Sequence, residues 1–566
     1  MRAGALVGLL ALLLPVSCGS SEPTAEGADI ERTGPATMER VRFDDVAADV
    51  GLDFRHSAFR WGTGPDPSAM MGGGLCWIDY DRDGWLDLFA VDTWSEGEWG
   101  DWRAAGGIPT SRLFRNDAGR FTDVTAETGA GVEDRSGGCV AADLDRDGWT
   151  DLFVTTERSD VLLWNDRGAG FVDDADGVEP SGLATFGWHA GAAVGDVDGN
   201  GWPDVFVAGY TDLNRPIPSA TRGFPNTHEP EPDLLFLNEG PGGGARTRFR
   251  DVAAESGIEP SGAEYGLGAV LGDLDLDGDL DLHVANDTTP NQLYEHRGVS
   301  PDGVPRYAEV GTEAGVDDDG AGMGVAAADL DGDGRPELVT TNQLDELHVL
   351  ARNTSDASLT FTDLRGEAGV PELGDGSTGW GASWADLDLD GDLDLAVANG
   401  KIPVRDLDAD REPLLILEDT SGPDDGPLLV DAGELVGLEA VGPVLGRGLA
   451  AADHDNDGDV DLAVGTIGGR LVLLRNSGAG GNWLTVATPT PMPGAVVTLR
   501  LPDGTTRSRQ LLAGSSYLSS EDPRAHFGLG PVDRVDEVIL TAPDGSTTRR
   551  TDVATGQIIE LVPDEG

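Results

Sequence analysis

The sequence predicts an all-β protein, a seven-bladed β-propeller with calcium-binding loops followed by a small C-terminal all-β domain. Three observations predict it. A nine-residue acidic pattern, D-x-D-x-D-G-x-x-D, occurs seven times between residues 79 and 461, at intervals of 53 to 77 residues. Each copy leads into a short apolar run of strand type. A strand-like segment left over before the first copy supplies the one that the last repeat lacks. Repeats of this length, each with four short strands, match a closed ring of sheets.

The acidic loops come first. Positions 1, 3, 5 and 9 hold Asp79, Asp81, Asp83 and Asp87 in the first copy, and Asp143, Asp145, Asp147 and Asp151 in the second. They hold Asp196, Asp198, Asn200 and Asp204 in the third, and Asp273, Asp275, Asp277 and Asp281 in the fourth. The fifth has Asp329, Asp331, Asp333 and Glu337, the sixth Asp386, Asp388, Asp390 and Asp394, and the seventh Asp453, Asp455, Asp457 and Asp461. Calcium takes six to eight oxygen ligands, and these carboxylates with a backbone carbonyl near position 7 would supply them. Glycine at position 6 permits the sharp turn. Asn200 still offers an oxygen, and Glu337 can bind through both of its own. Up to seven calcium ions are expected. Magnesium prefers a strict octahedron and several waters. An EF-hand needs a twelve-residue loop ending on Glu between helices; here position 9 is acidic and strands follow.

The repeat extends beyond the loop. Five residues before each first Asp stands a glycine, from Gly74 to Gly448, as crowded strands near an axis require. A third strand closes on Asn in several repeats (Asn116, Asn165, Asn238, Asn476). A fourth reads Phe121-Thr-Asp-Val or a variant, often followed by Glu-x-Gly, as in Glu127-Thr-Gly129 and Glu367-Ala-Gly369. The last repeat lacks this fourth segment, and Phe43-Asp-Asp-Val precedes the first loop. The N-terminal strand is therefore expected to complete the last blade. The repeat resembles the FG-GAP/VCBS family over residues 41–476, which implies blades that carry calcium in this loop.

Residues 477–566 form the expected second domain. Asn482-Trp-Leu, Gly494-Ala-Val-Val, Gly514-Ser-Ser-Tyr517-Leu-Ser, His526-Phe-Gly-Leu-Gly530 and Pro543-Asp-Gly545 alternate short strands with turns. The order resembles the ASPIC/UnbV domain, which follows an FG-GAP propeller in the cartilage acidic protein family. Gly556-Gln557 departs from the Asn-Gln usual there.

The N-terminus reads as an export signal. Arg2 precedes an apolar run from Ala5 to Val16, too short for a membrane helix. Residues 1–18 end on Val16-Ser17-Cys18, which resembles a lipobox with Pro15 in place of Leu; Cys18 would be acylated, the alternative being ordinary secretion. Residues 19–40 read as a flexible acidic tether. The chain is thus expected to be exported, as an outer-membrane or cell-surface lipoprotein or as a secreted protein.

The formal net charge is −64. Seven calcium ions would offset 14 charges and leave about −50. This excludes nucleic acid and argues against an anionic membrane surface, with membrane contact only through the lipid anchor. Cys76 and Cys139 precede their first Asp by three and four residues, so they point to opposite faces and no disulfide is expected. His526 has only Phe and Gly as motif neighbours and reads as a structural residue. His189 is placed near the mouth of a central channel. Two insertions, from Asp92 to Thr110 with Trp94, Trp99 and Trp102, and from Tyr210 to Pro232, should emerge on one face. No catalytic residues are assigned. Two functions follow: a calcium-stabilised extracellular binding or adhesion protein that recognises a protein or glycan, or an enzyme acting on extracellular polysaccharide at the channel mouth.

Overall fold

The structure is a computed structural model. It describes residues 37–563 apart from 177–179, 242–246, 259–262, 357, 366–372, 375 and 421–427. Residues 1–18, Cys18 and most of the tether lie outside the described residues, as does Glu367-Ala-Gly369.

Seven four-stranded antiparallel sheets follow the seven repeats. In sheet I the strands are Leu75–Ile78, Asp87–Ala90, Arg112–Asn116 and Phe121–Asp123. Sheets II to VI repeat this order, with first strands Ser136–Ala142, His189–Gly195, Gly266–Gly272, Val325–Ala328 and Gly379–Ala385. Sheet VII takes Gly446–Ala452, Asp461–Thr466 and Val472–Ser477 from its own repeat and Arg42–Asp45 from the N-terminus, with Phe43 opposite Asn476. The orphan segment closes the ring as expected. First strands touch in the order I to VII, and VII touches I.

The hydrophobic cores lie between sheets. Trp77, Leu88 and Phe114 of sheet I pack with Ala450 and Leu473 of sheet VII, while Phe89 and Leu113 pack with Leu152 and Leu163 of sheet II. Period-two alternation puts one apolar face toward each neighbour, so every blade contributes to two cores. The glycine before each loop marks the close approach at the axis. A Cβ on Gly324 would stand 2.1 Å from the Trp380 carbonyl, and one on Gly74 would stand 2.1 Å from that of Leu518.

Two expectations need correction. Residues 37–40 do not belong to a loose tether: Thr37–Arg40 form a 3-10 turn, and Met38 is buried with Val41 in the core between sheets VI and VII. Cys76 and Cys139 form a disulfide, with Cα atoms 6.1 Å apart. They do take opposite faces of equivalent strands. Neighbouring sheets meet through opposite faces, so this parity brings the thiols together.

The C-terminal domain has a three-stranded sheet (Ala525–Gly530, Asn482–Ala487, Gln557–Glu560) and a four-stranded one (Thr506–Gln510, Val496–Arg500, Arg534–Thr541, Thr547–Ala554) around their own core of Leu484, Val497, Phe527 and Leu540. Between the third and fourth of its strands along the chain lies a segment that enters the ring. Val194 donates to the Ala513 carbonyl, Ser516 exchanges backbone bonds with Val325, and Cys139 donates to Leu518. Leu75 and Trp77 bond Ser520, Asp522 donates to Ala451, and Ser516 Oγ accepts from Ala382. The Gln510 side chain clasps both N–H and C=O of Asp273. Residues 510–522 thereby hydrogen-bond all seven sheets. Tyr517 is fully buried on the axis and donates to the Met71 carbonyl at 2.8 Å.

Candidate metal centres and the two faces of the ring

The seven loops share one backbone. Position 6 glycine has a positive φ in each, from +86° at Gly84 to +111° at Gly391, and in five of them its N–H bonds the position 1 carboxylate, at 2.8 Å in the third. Position 4 is left-handed as well, although it holds Arg82, Arg146, Leu276, Leu389 and Asn456 in five loops. That conformation costs roughly 1 kcal/mol for a residue with a Cβ, and the loop maintains it while turning its carboxylates inward.

Position 9 organises the loop. One oxygen of its carboxylate accepts the position 2 N–H, and the other accepts an N–H at the end of the third strand. In sheet II, Leu144 donates to Asp151 Oδ2 at 3.0 Å and Asn165 donates to Oδ1 at 2.8 Å. The same pair of bonds recurs in all seven sheets, with Glu337 serving in sheet V.

The carboxylates converge. Oxygens of Asp79, Asp81 and Asp87 lie within 4.8 Å of one another, as do those of Asp143, Asp145 and Asp151, of Asp196, Asp198 and Asp204, and of Asp273, Asp275 and Asp277. In the seventh loop His454, at position 2, turns inward and joins Asp455 and Asp461. That ring was not expected in the cluster. Burial pushes these carboxyls up, and neighbouring carboxylates push them further. Asp79, Asp273 and Asp329 rise to about 6, Asp143 to about 7, Asp281, Glu337 and Asp453 to about 8, and Asp87 to about 9. Buried oxygens of Asp81, Asp143, Asp273, Asp329, Asp386 and Asp455 have no hydrogen-bond partner among the described residues. Desolvated anions with spare oxygens turned toward one point suit a hard cation. The clusters could hold metal ions.

The C-terminal domain sits against this loop face. Arg524 donates to the Asp453 carbonyl at 3.0 Å and to Asn456 Oδ1 at 2.8 Å. His526 Nε2 bonds the Gly458 carbonyl at 3.0 Å, and burial lowers its pKa to about 4. It is a structural residue, as expected, stacked on Trp483.

The opposite face carries the insertions. Tyr210, Phe224, Phe59, Met70, Val404 and Ile402 gather over the axis with Trp380 and Tyr517. The segments 52–71 and 400–414 were not singled out in the sequence, since neither has a distinctive composition. His189 is buried, not at a mouth, and its Nδ1 lies 2.6 Å from Asp160. Only about 10 Å3 of cavity remains beside it, lined by Arg135, Tyr210 and Tyr517 among others. The axis is filled by Trp380, Tyr517 and their neighbours. Of the insertion tryptophans, Trp94 is buried, Trp102 is half-buried and Trp99 is exposed. Among the described residues no helix is long and apolar enough to cross a membrane.

A ring of acidic-looped sheets plugged by a C-terminal β domain is the class of protein these features define. Residues 79–154, 143–207 and 273–340 match the FG-GAP-like repeat, and residues 486–566 match the ASPIC and UnbV domain. The chain is a protein of FG-GAP-like repeats with an ASPIC/UnbV domain. It is similar to cartilage acidic protein 1 of Homo sapiens, at 29% identity over 451 residues, 75% of this chain and 63% of that protein. With that of Mus musculus the identity is 28% over 446 residues, 74% and 64% of the two chains. The chain thus spans less than two thirds of the length of these relatives. Among solved structures, an Agrocybe aegerita lectin recognising non-reducing terminal N-acetylglucosamine aligns with a TM-score of 0.37 and 17% identity, over 64% of this chain and 80% of its own. The V. cholerae biofilm matrix protein Bap1 aligns with a TM-score of 0.29 and 12% identity, over 88% and 61%.

Proposed function

We propose that this chain is a calcium-stabilised extracellular or cell-surface binding protein that recognises a protein or glycan partner through its insertion face. Each acidic loop would hold one calcium ion through its position 1, 3, 5 and 9 side chains, up to seven in all. The bound ion supplies the positive charge that the converging carboxylates need. The loops' own backbone bonds orient the carboxylates beforehand. Cys18, if acylated, would tether the chain to a membrane.

The observation that carries this reading is the division of labour between the two faces. The C-terminal domain packs on the loop face, and the axis is filled. The insertion face is left free to meet a partner.

The test is a melting curve of the purified chain. EGTA is expected to lower the melting temperature and added calcium to restore it, since a ligand of the native state stabilises by mass action. An unchanged curve, with no calcium by elemental analysis, would refute the metal assignment.

A further inference from the structure

We propose that the insertion face carries a binding site for an acidic polysaccharide, a chain of sugars bearing carboxylate or sulfate groups. This rests on the reading above that the insertion face meets the partner, and it names the partner's chemistry.

The chain has 102 acidic residues against 38 basic ones, yet five arginines collect around two adjoining cavities on this face. The first cavity, of about 490 Å3, is lined by Arg55, Arg60, Arg112, Trp102 and His56. The second, of about 420 Å3, is lined by Arg55, Arg411 and Arg470. Arg55 is common to both. Its pKa is lowered, first by burial and then by repulsion from Arg60, Arg470 and Arg411. Arg55 and Arg60, which have no ion pair among the described residues, can meet an anion.

Three of these arginines are already paired with carboxylates, which leaves Arg55 and Arg60 to meet a ligand. Asp53 pairs with Arg470, Asp408 with Arg411, and Asp123 with Arg112. Arg55 donates to the Gly468 carbonyl at 2.8 Å, and the Arg60 guanidinium has no ion pair or hydrogen bond among the described residues. Asp92 is buried and spent on Ser57. Glu98 is spent on holding a turn: its two oxygens accept the backbone N–H groups of Arg60 and Trp61, at 3.1 and 2.7 Å.

That turn presents a charge and a ring side by side. Trp61 is 49% exposed and packs edge-on against Trp102, with centroids 4.6 Å apart. Trp102 Nε1–H, in the cavity wall, has no partner among the described residues. Trp99 is 46% exposed, with Arg103 over its ring. Arginine matches a carboxylate or sulfate through paired donors. A flat indole surface matches the apolar face of a sugar ring. An acidic peptide would use the arginines and leave the tryptophans without purpose, so the combination favours a glycan.

The experiment measures binding of the full-length, calcium-loaded protein to four polymers: polygalacturonate, dextran sulfate, neutral dextran and polyglutamate. Binding to polygalacturonate, to dextran sulfate or to both is expected. Which of them binds tells carboxylate from sulfate. Affinity should fall as salt rises. Arg60→Gln and Trp61→Ala should each weaken it about tenfold, with the calcium-dependent melting curve unchanged. Failure to bind either acidic glycan, or binding unaffected by both substitutions, overturns the proposal. Polyglutamate bound as tightly overturns it in favour of an acidic protein. Neutral dextran bound at the same face, dependent on Trp61 but not Arg60, overturns it while leaving the insertion face as the binding surface.

Discussion

The side-chain amide of Asn165, at the end of the third strand of sheet II, donates to the carbonyl of Tyr80 in the acidic loop of sheet I at 2.9 Å. It donates also to the Thr150 carbonyl of its own loop at 2.9 Å, while its backbone N–H holds Asp151. Asn116, Asn238, Asn353 and Asn476 each make the corresponding bridge to the preceding sheet, reaching His454, Leu144, Leu274 and Leu387. In five of the seven sheets one residue type thus ties the loop to its own sheet and to its neighbour; His296 and Asp419 hold the position in sheets IV and VI. Asn165→Ala should leave two buried carbonyls unsatisfied and cost about 2–4 kcal/mol. Urea unfolding of the variant measures it, and a loss below about 0.5 kcal/mol would deny the clamp its role.

Tyr517 is the anchor of the axial plug. Replacing it with Ala opens a cavity where seven sheets converge and should cost about 3–5 kcal/mol, the range for truncating a buried aromatic. Tyr517→Phe loses only the bond to Met71 and should cost about 1 kcal/mol. Thermal unfolding distinguishes the two; equal, small effects would mean that the segment merely lies in the ring. Gly514→Val should be worse than either, because a Cβ there would stand 1.9 Å from the Ala192 carbonyl.

The Cys76–Cys139 bridge joins sheets I and II across 63 residues of chain. Loss of such a link costs about 2–5 kcal/mol. Reductant should therefore lower the melting temperature of the wild type and leave Cys76→Ala/Cys139→Ala unaffected. A tryptic peptide pair joined through both cysteines is the direct check by mass spectrometry.

His189 supplies a pH dependence. Burial opposes its charged form, but the Asp160 carboxylate at 2.6 Å outweighs burial and holds the imidazole above its ordinary value of 6.5, with Glu231 adding to the effect. Thr156 N–H and the Thr185 hydroxyl keep Asp160 in place. The folded protein therefore binds the proton more tightly than the unfolded chain. The stabilisation is complete below about pH 6.5 and is lost as pH rises through the folded value. Each tenfold gain in proton affinity is worth about 1.4 kcal/mol. The melting-temperature gap between wild type and His189→Gln should narrow from pH 6 to pH 9; a constant gap would show that the ion pair does not drive it.

The repeat was legible because chemistry and geometry share one pattern: the carboxylates that converge in each loop also mark where two strands turn. Phe43 revealed closure because a ring needs every blade completed. The disulfide was not legible from parity along one strand, since the relevant faces belong to adjacent sheets. Nor was the plug: Gly514-Ser-Ser-Tyr517 reads like any polar turn, and only its contacts with seven distant strands distinguish it. The third-strand asparagines were visible as a recurrence, but an amide that reaches into the previous repeat leaves no local trace. His454 was hidden by occupying a position that elsewhere holds Leu, Val or Tyr.

The seventh loop is where metal and plug meet. Arg524 and His526 grip it at the Asp453 and Gly458 carbonyls and the Asn456 side chain, while Asp455 and Asp461 face the cluster. Asp455→Ala with Asp457→Ala should remove the ligands without touching those grips. The variant should lose most of this site's calcium, one equivalent of up to seven by elemental analysis. It should also melt lower in calcium than the wild type by about the stabilisation of one bound ion, roughly 3–4 kcal/mol at a thousandfold excess over Kd. In EGTA the order should reverse: with no cation present, removing two carboxylates from a repelling cluster relieves it, and the variant should melt no lower than the wild type. A variant that is weaker by the same amount in calcium and in EGTA would show that Asp455 and Asp457 serve the backbone and not an ion.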